Sequence, residues 1–207
     1  MTEIIVGVTG ATGMPMAVAT LRALRELEVT THLVMTDAAR RVAELETDHS
    51  ADAFLKLADI CYEIGDIAAP IASGSFPCMG MIVIPCSIKS LSAIANSYCD
   101  NLLTRAADVT LKERRKLVLV VREAPLHEGH LRLMLRASRA GAVIFPPVPS
   151  FYGSPESITQ LVNQIVGRAL DQIGVNNGLC RRWGVDVHAL TDQRPRTGPR
   201  RDPTYCS

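Results

Sequence analysis

The stretch Glu3-Ile-Ile-Val-Gly-Val-Thr-Gly-Ala-Thr-Gly-Met-Pro-Met16 decides the fold of this 207-residue chain. Its first half, from Ile4 to Val8, is apolar without polar alternation, which predicts a parallel strand covered on both faces. Glycines at positions 7, 10 and 13 then let the backbone turn sharply before a helix begins. The free N–H groups at a helix start favour an anion, and the Thr12 hydroxyl could join them. The stretch therefore predicts a nucleotide or phosphate site.

The glycine spacing leaves alternatives open. Gly-x-x-Gly-x-x-Gly differs from the Gly-x-Gly-x-x-Gly of standard dinucleotide folds, and a glycine turn after an apolar strand is sometimes only a tight connection. A short-chain dehydrogenase would have glycine at position 16, where this chain has methionine, and a tyrosine followed four residues later by lysine. None of the four tyrosines meets that condition. Hydride transfer of that type is therefore not expected.

Composition sets limits on the class of protein. The content of 47% hydrophobic and 21% charged residues is typical of a globular protein, and the length favours one domain. We expect this domain to cover residues 1–190, followed by a disordered tail over 191–207 that is rich in Pro, Arg, Gly and Thr. The formal charge of +1 gives no electrostatic reason to bind nucleic acid or an anionic membrane.

Other patterns bear on location and on metal binding. The chain starts directly with a strand, and no apolar run approaches the ~20 residues of a membrane-spanning helix, so we expect a cytoplasmic protein. Six cysteines occur without any Cys-x-x-Cys pair, and this pattern suggests neither a zinc site nor a disulfide framework.

Further apolar segments predict strands that end in polar residues. These strands run from Thr31 to Thr36, from Met81 to Pro85 and from Leu117 to Val121. The second of these strands is followed by hydroxyl groups at Ser87 and Ser90. The third is followed by the charged pair Arg122-Glu123. Because open α/β sheets bind ligands outside the carboxyl ends of their strands, these residues are candidates for a site. Ser87 and Ser90 could instead be helix caps, and Asp37 or Glu46 could be a ribose-binding acid or a solvated helix-end acid.

Between the strands, apolar residues recur at helical spacing. Helices are predicted after Gly13 and over 38–45, 102–116 and 126–140, and a last helix is predicted from about Ser154, with Pro155 at its first position. The alternation of strands and helices predicts an α/β fold.

A series of ordered motifs resembles those of the UbiX-type flavin prenyltransferases over residues 3–175. The motifs are Gly10-Ala-Thr-Gly13, Glu46-Thr-Asp48, Ser73-Gly-Ser75, Pro85-Cys-Ser-Ile-Lys-Ser90, Arg105-Ala-Ala-Asp-Val109, Leu111-Lys-Glu-Arg-Arg115, Arg122-Glu-Ala-Pro125 and Pro146-Pro-Val-Pro-Ser-Phe-Tyr152. The resemblance implies a three-layer Rossmann-like or flavodoxin-like α/β fold with a mostly parallel central sheet, assembled as a homododecamer. It implies an enzyme that joins a dimethylallyl group from dimethylallyl phosphate to N5 and C6 of reduced FMN. The product, prenylated FMN, would be handed to a UbiD-type decarboxylase.

The same resemblance implies roles for individual residues. FMN would lie against Gly10, Ala11, Thr12, Thr36, Ser87, Ile88, Lys89, Ser90 and Arg122. The donor phosphate would meet Lys112, Arg122, Tyr152 and Arg168, and the catalytic residues would be Glu46, Glu123 and Lys112. No metal is expected, because the chain lacks the Asp-Asp-x-x-Asp sequence that holds magnesium on a diphosphate. Side-chain cations would then stabilise the departing group, which fits a monophosphate donor.

Two other functions stay open. The chain could be an FMN-binding accessory subunit of an aromatic-acid decarboxylase without transferase activity, although flavin storage alone would not require the set Lys112, Glu123, Tyr152 and Arg168. A flavin-dependent cysteine decarboxylase would rely on a histidine and an asparagine-bearing loop, whereas this chain has Lys89 in the corresponding turn. The Gly-Ala-Thr-Gly sequence also resembles the UbiX-like B subunits of phenolic-acid decarboxylases, so the pathway served is open.

Overall fold

A computed structural model describes residues 3–47 and 54–186. The strands are β1 (Glu3–Val8), β2 (Thr30–Met35), β3 (Ile60–Tyr62), β4 (Gly80–Cys86), β5 (Lys116–Val121) and β6 (Val143–Ile144). The α-helices within the described ranges are α1 (Met14–Glu26), α2 (Asp37–Glu46), α3 (Ile88–Ala95), α4 (Leu102–Lys112), α5 (Glu128–Arg139) and α6 (Ile158–Ile173), and a short 3-10 turn covers Pro70–Ala72. None of the described helices is both long enough and apolar enough to cross a membrane.

The strands form one parallel sheet in the order β3-β2-β1-β4-β5-β6. This is the strand order of Rossmann folds. The chain builds outward from β1 to β3 and then returns to the other side of β1, where β4 pairs with it. The carboxyl ends of β1 and β4 therefore flank the topological switch point, at which such sheets bind ligands. The predicted Rossmann-like fold with a parallel central sheet is confirmed.

Helices cover both faces of the sheet, which explains the continuous apolar strands. On one face, Ile4, Val6 and Val8 of β1 belong to a buried cluster that includes residues of α1, α2 and α6. On the other face, Ile5 belongs to a second cluster with residues of α3, α4 and α5. The predicted three-layer architecture follows from this double burial.

Two helix boundaries differ from the sequence prediction. Helix α4 ends at Lys112 rather than near position 116, because Arg114 adopts a left-handed backbone with φ 56° and β5 already begins at Lys116. Helix α6 begins at Ile158 rather than near Ser154, because Ser157 caps it by accepting a hydrogen bond from the Gln160 N–H at 3.2 Å. The predicted domain end at residue 190, the tail over 191–207 and Asp48 of the Glu46-Thr-Asp48 motif lie outside the described residues.

Candidate active site

The turns after β1 and β4 are joined at the switch point by Thr9. Its side chain is fully buried, and its hydroxyl donates to the Pro85 carbonyl at 2.8 Å and accepts from the Ser87 N–H at 2.7 Å. This residue fixes the two turns relative to each other, and the sequence prediction missed it. The available signal was a single hydroxyl residue placed directly after a buried apolar strand.

Gly10 allows the first turn to lie against the start of α2. A Cβ atom at Gly10 would overlap the Ala38 Cβ and would stand 3.1 Å from the Ala38 carbonyl carbon. The glycine therefore serves a close contact inside the protein, in addition to any approach of a ligand. Gly13 precedes α1 with φ 116°, a left-handed conformation that favours glycine.

Glu46 occupies the start of α1. Its Oε2 accepts hydrogen bonds from the Gly13 N–H at 2.7 Å and the Met14 N–H at 2.9 Å. Burial alone would raise the pKa of this carboxyl, but the bonds from the Thr12 side chain and these two N–H groups, with the nearby charge of Arg122, lower the pKa below its usual value of 4.5. A carboxylate of the protein itself thus accepts from two of the N–H groups at this helix start. The arrangement brings Glu46 together with Thr12 and Arg122.

The starts of α2 and α3 lie at the same edge of the sheet. Thr36 caps α2 by accepting from the Ala39 N–H at 3.1 Å, and its own N–H donates to the Val8 carbonyl at 3.0 Å. Ser87 caps α3 by accepting from the Ser90 N–H at 3.3 Å, so the capping interpretation of Ser87 is confirmed. Two helix N-termini with hydroxyl caps form an environment that favours a phosphate group.

The remaining residues of these turns are more exposed. Arg122 follows β5, and its N–H donates to the Cys86 carbonyl at 3.0 Å, which aligns the turn after β5 with the turn after β4. The Glu123 carboxylate accepts from the Ala124 N–H at 3.1 Å. The Lys89 ammonium lies 3.7 Å from the Asp100 carboxylate, and its side chain is 77% exposed. The Lys89 ammonium is therefore engaged by an acid outside these turns.

Lys112 lies at the opposite end of the sheet. Helix α4 ends there before β5 begins at Lys116, whereas Arg122 follows the end of the same strand. The six residue steps from Lys116 to Arg122 span roughly 20 Å of extended chain. The Lys112 ammonium pairs with the Glu113 carboxylate beside Gly74. Within one chain, the structure therefore does not bring Lys112 to the strand-end turns.

Tyr152 and Arg168 line a common cavity of about 350 Å³ between α6 and the segment after β6. Its other lining residues are Phe145, Val148, Ser150, Gln164 and Ile165, and none belongs to the four strand-end turns. Arg168 Nη1 donates to the Asp171 carboxylate at 2.6 Å. The structure thus brings two of the predicted phosphate-binding residues together, in a place separate from the turns.

The Asp171 carboxylate, which pairs with Arg168, is shared between two guanidinium groups. Arg182 contacts both carboxylate oxygens, at 3.0 and 3.1 Å, while Arg168 contacts one of them. Among the described residues that line the cavity, Arg168 carries a positive charge and none carries a carboxylate. Such a place favours an anion.

This fold and this edge of the sheet define a nucleotide-binding class of protein, and comparison with known proteins identifies the family. The profile of the Flavoprotein family matches residues 1–170. The flavin prenyltransferase UbiX of Escherichia coli (strain K12) is 54% identical over 186 residues, which cover 88% of this chain and 98% of the relative. That of Thauera aromatica is 52% identical over 193 residues, covering 93% and 100%. The chain therefore belongs to the UbiX family of flavin prenyltransferases.

Solved structures support the same relationship. A UbiX crystal structure in complex with FMN and dimethylallyl pyrophosphate has a TM-score of 0.87 at 52% identity, covering 88% of this chain and 97% of that one. A dodecameric FMN-dependent UbiX-like decarboxylase from Escherichia coli O157:H7 has a TM-score of 0.86 at 52% identity, covering 88% and 99%. The peptidyl-cysteine decarboxylase EpiD shares only 14% identity at a TM-score of 0.58, and this shows the fold alone.

Proposed function

We propose that this protein transfers a dimethylallyl group from dimethylallyl phosphate to N5 and C6 of reduced FMN, and that the prenylated FMN serves a UbiD-type decarboxylase. The observation that carries the proposal is the meeting of the turns after β1, β2, β4 and β5 at the switch point, in a chain 52–54% identical to flavin prenyltransferases.

The strand-end turns fit FMN. Glu46 accepts from the N–H groups at the α1 start, so the FMN phosphate is assigned to the caps of α2 and α3, and Arg122 would lie against FMN while it meets the donor phosphate. Thr36, Ser87 and Ser90 supply hydroxyl groups there, and the backbone at Ile88 and Lys89 supplies N–H groups of the first turn of α3. Gly10, Ala11 and Thr12 would lie against the flavin. When bound, reduced FMN supplies the nucleophile for the transfer.

The donor phosphate is assigned to Lys112, Arg122, Tyr152 and Arg168. Cations and a phenol stabilise the negative charge that develops on a departing phosphate, so no metal is required. Glu46 is ionised at neutral pH, since its pKa is lowered, and it can stabilise an allylic cation or accept a proton. Glu123, next to Arg122, is assigned the second carboxylate role.

These assignments require more than one copy of the chain. Lys112 lies at the amino edge of the sheet, so a neighbouring copy must supply it to the carboxyl edge of another. We propose a homododecamer, as in the dodecameric UbiX-like relative.

The proposal also includes the domain limits and the location. We propose a single domain over 1–190, a dispensable tail over 191–207 and a cytoplasmic location. The thiols of Cys61 and Cys99 are free and exposed, as is common in a reducing compartment.

The experiment is mass spectrometry of the flavin after anaerobic incubation with reduced FMN and dimethylallyl phosphate. The expected result is a flavin heavier by one isoprene unit, with one phosphate released for each flavin. An Arg122→Ala variant is the control for transfer that does not depend on the site. If the parent protein retains FMN and returns it unmodified, it is an accessory subunit and the proposal is wrong.

A further inference from the structure

Gln164 on α6 carries an unsatisfied hydrogen-bond donor. The side chain is 5% exposed, and its Nε2 has no hydrogen-bond partner among the residues that the structure describes. Among the described residues, His130 Nδ1 is the only other buried side-chain atom without a hydrogen-bond partner. Buried polar groups in proteins are generally paired, and an unpaired one costs free energy. An acceptor from outside the described residues would satisfy this amide.

The amide lies beside the two residues assigned to the donor phosphate. Gln164 lines the cavity of about 350 Å³ together with Tyr152 and Arg168. Gln164 and Arg168 are four residues apart on α6, so their side chains project from the same face of the helix. A Cβ at Gly153, next to Tyr152, would be 3.4 Å from Gln164 Nε2. Three residues that carry donor groups thus line one cavity.

Gln164 also lines a larger cavity of about 620 Å³, which is less suited to an anion. Asp186 contributes a carboxylate to that lining. Its two arginines are engaged, because Arg181 donates to the Gly153 carbonyl at 2.9 Å and Arg182 contacts both oxygens of Asp171. The lining of the smaller cavity has Arg168 and Tyr152 and no carboxylate among the described residues, so the acceptor is assigned there.

We infer that Gln164 donates a hydrogen bond to the phosphate of the prenyl donor, as a third donor beside Tyr152 and Arg168. This inference rests on the proposed function. A neutral N–H group adds a directional hydrogen bond without adding charge. It therefore favours donors that place a phosphate oxygen at the position of this hydrogen bond. The Gln164 N–H becomes paired only when the prenyl phosphate binds. The new hydrogen bond then offsets the free-energy cost of burying the amide.

The test uses Gln164→Met, which keeps the length of the side chain and removes the amide, and Gln164→Glu, which places a carboxylate against the phosphate. The matched control is Asn163→Ala, since Asn163 lines the larger cavity but not the smaller one. Each variant is assayed for FMN content, thermal unfolding, and KM and kcat with dimethylallyl phosphate.

We expect Gln164→Met to keep its FMN content, to unfold at a temperature no lower than the parent, and to raise KM for the donor roughly tenfold. Gln164→Glu raises KM further, and Asn163→Ala leaves it unchanged. A purely structural role would instead lower the unfolding temperature. An unchanged KM in Gln164→Met, in a parent that prenylates FMN, overturns the Gln164 assignment alone. A parent that makes no prenylated FMN overturns the proposed function and this inference with it.

Discussion

The two halves of the proposed site are built differently. The flavin half consists of turns that follow four parallel strands and are fixed to one another within one chain by Thr9, Thr36 and the Arg122 backbone. The donor half is dispersed, with Lys112 at the amino edge and Tyr152 and Arg168 on a cavity beside α6. Under the proposed assignments, FMN binding rests on residues of one chain, whereas transfer depends on assembly.

The largest effect on prenylation is expected at Lys112 and Arg122, where the donor half must meet the flavin half. Lys112→Ala and Arg122→Ala should each lower prenylation by about 10²–10³-fold, because each removes a cation from the departing phosphate. When the two variants are mixed under conditions that allow subunits to exchange, activity should return. If two copies supply the two residues, about one quarter of the sites in an equal mixture are intact.

Recovery is measured as prenylated FMN formed by mixed oligomers that are isolated through tags on both variants. The control is each variant mixed under the same conditions with a differently tagged form of the same variant. If mixed oligomers contain both variants and stay as inactive as either one, then Lys112 and Arg122 do not act from different copies, and the comparison between the halves fails.

The donor half should affect transfer without affecting flavin binding. Arg168→Ala or Tyr152→Phe should keep FMN content near that of the parent and lower prenylation by about 10²–10³-fold. The alternative is that Arg168 serves only its ion pair with Asp171, and exposed ion pairs contribute little. A titration of the reduced holoenzyme with dimethylallyl phosphate separates these cases. Parent-like binding and turnover in Arg168→Ala would remove Arg168 from the donor site.

The flavin half should be sensitive to a single methyl group. Gly10→Ala places a Cβ against Ala38, and the resulting overpacking should cost about 1–3 kcal/mol of unfolding free energy. It should also weaken FMN retention about tenfold, because the turn after β1 must move away from the start of α2.

Gly65→Ala is the matched control, since no atom of the described residues beyond its two chain neighbours lies within 4 Å of a Cβ at that position. Chemical unfolding and FMN occupancy of the two variants check the prediction. Equal stability and equal FMN retention would show that the contact of Gly10 with Ala38 does not shape the flavin site.

The sequence predicted the position of the strand-end turns well, because that position follows from local patterns. Apolar runs locate the strands, and residues just after them, such as Thr36, Ser87 and Arg122, must lie at the carboxyl edge of a parallel sheet. The same topology places Lys112, which precedes β5, at the other edge, and this signal was present in the sequence. The bond of Glu46 to Gly13 joins positions 33 residues apart, so no local pattern could have predicted it.

The smallest effect concerns Glu46, whose carboxylate holds the start of α1 within the flavin half. The pKa of Glu46 is lowered in the folded protein, so its contribution to stability is complete above its usual value of 4.5 and is lost as the pH falls through the folded value. Glu46→Gln should therefore cost about 1 kcal/mol at neutral pH, and the difference from the parent should shrink below about pH 4.5. Glu44→Gln on the exposed side of the same helix is the control. Denaturant unfolding measured from pH 7 to about pH 3 checks the sign. A difference between parent and Glu46→Gln that stays constant over this range would mean that the charge on Glu46 does not stabilise the helix start.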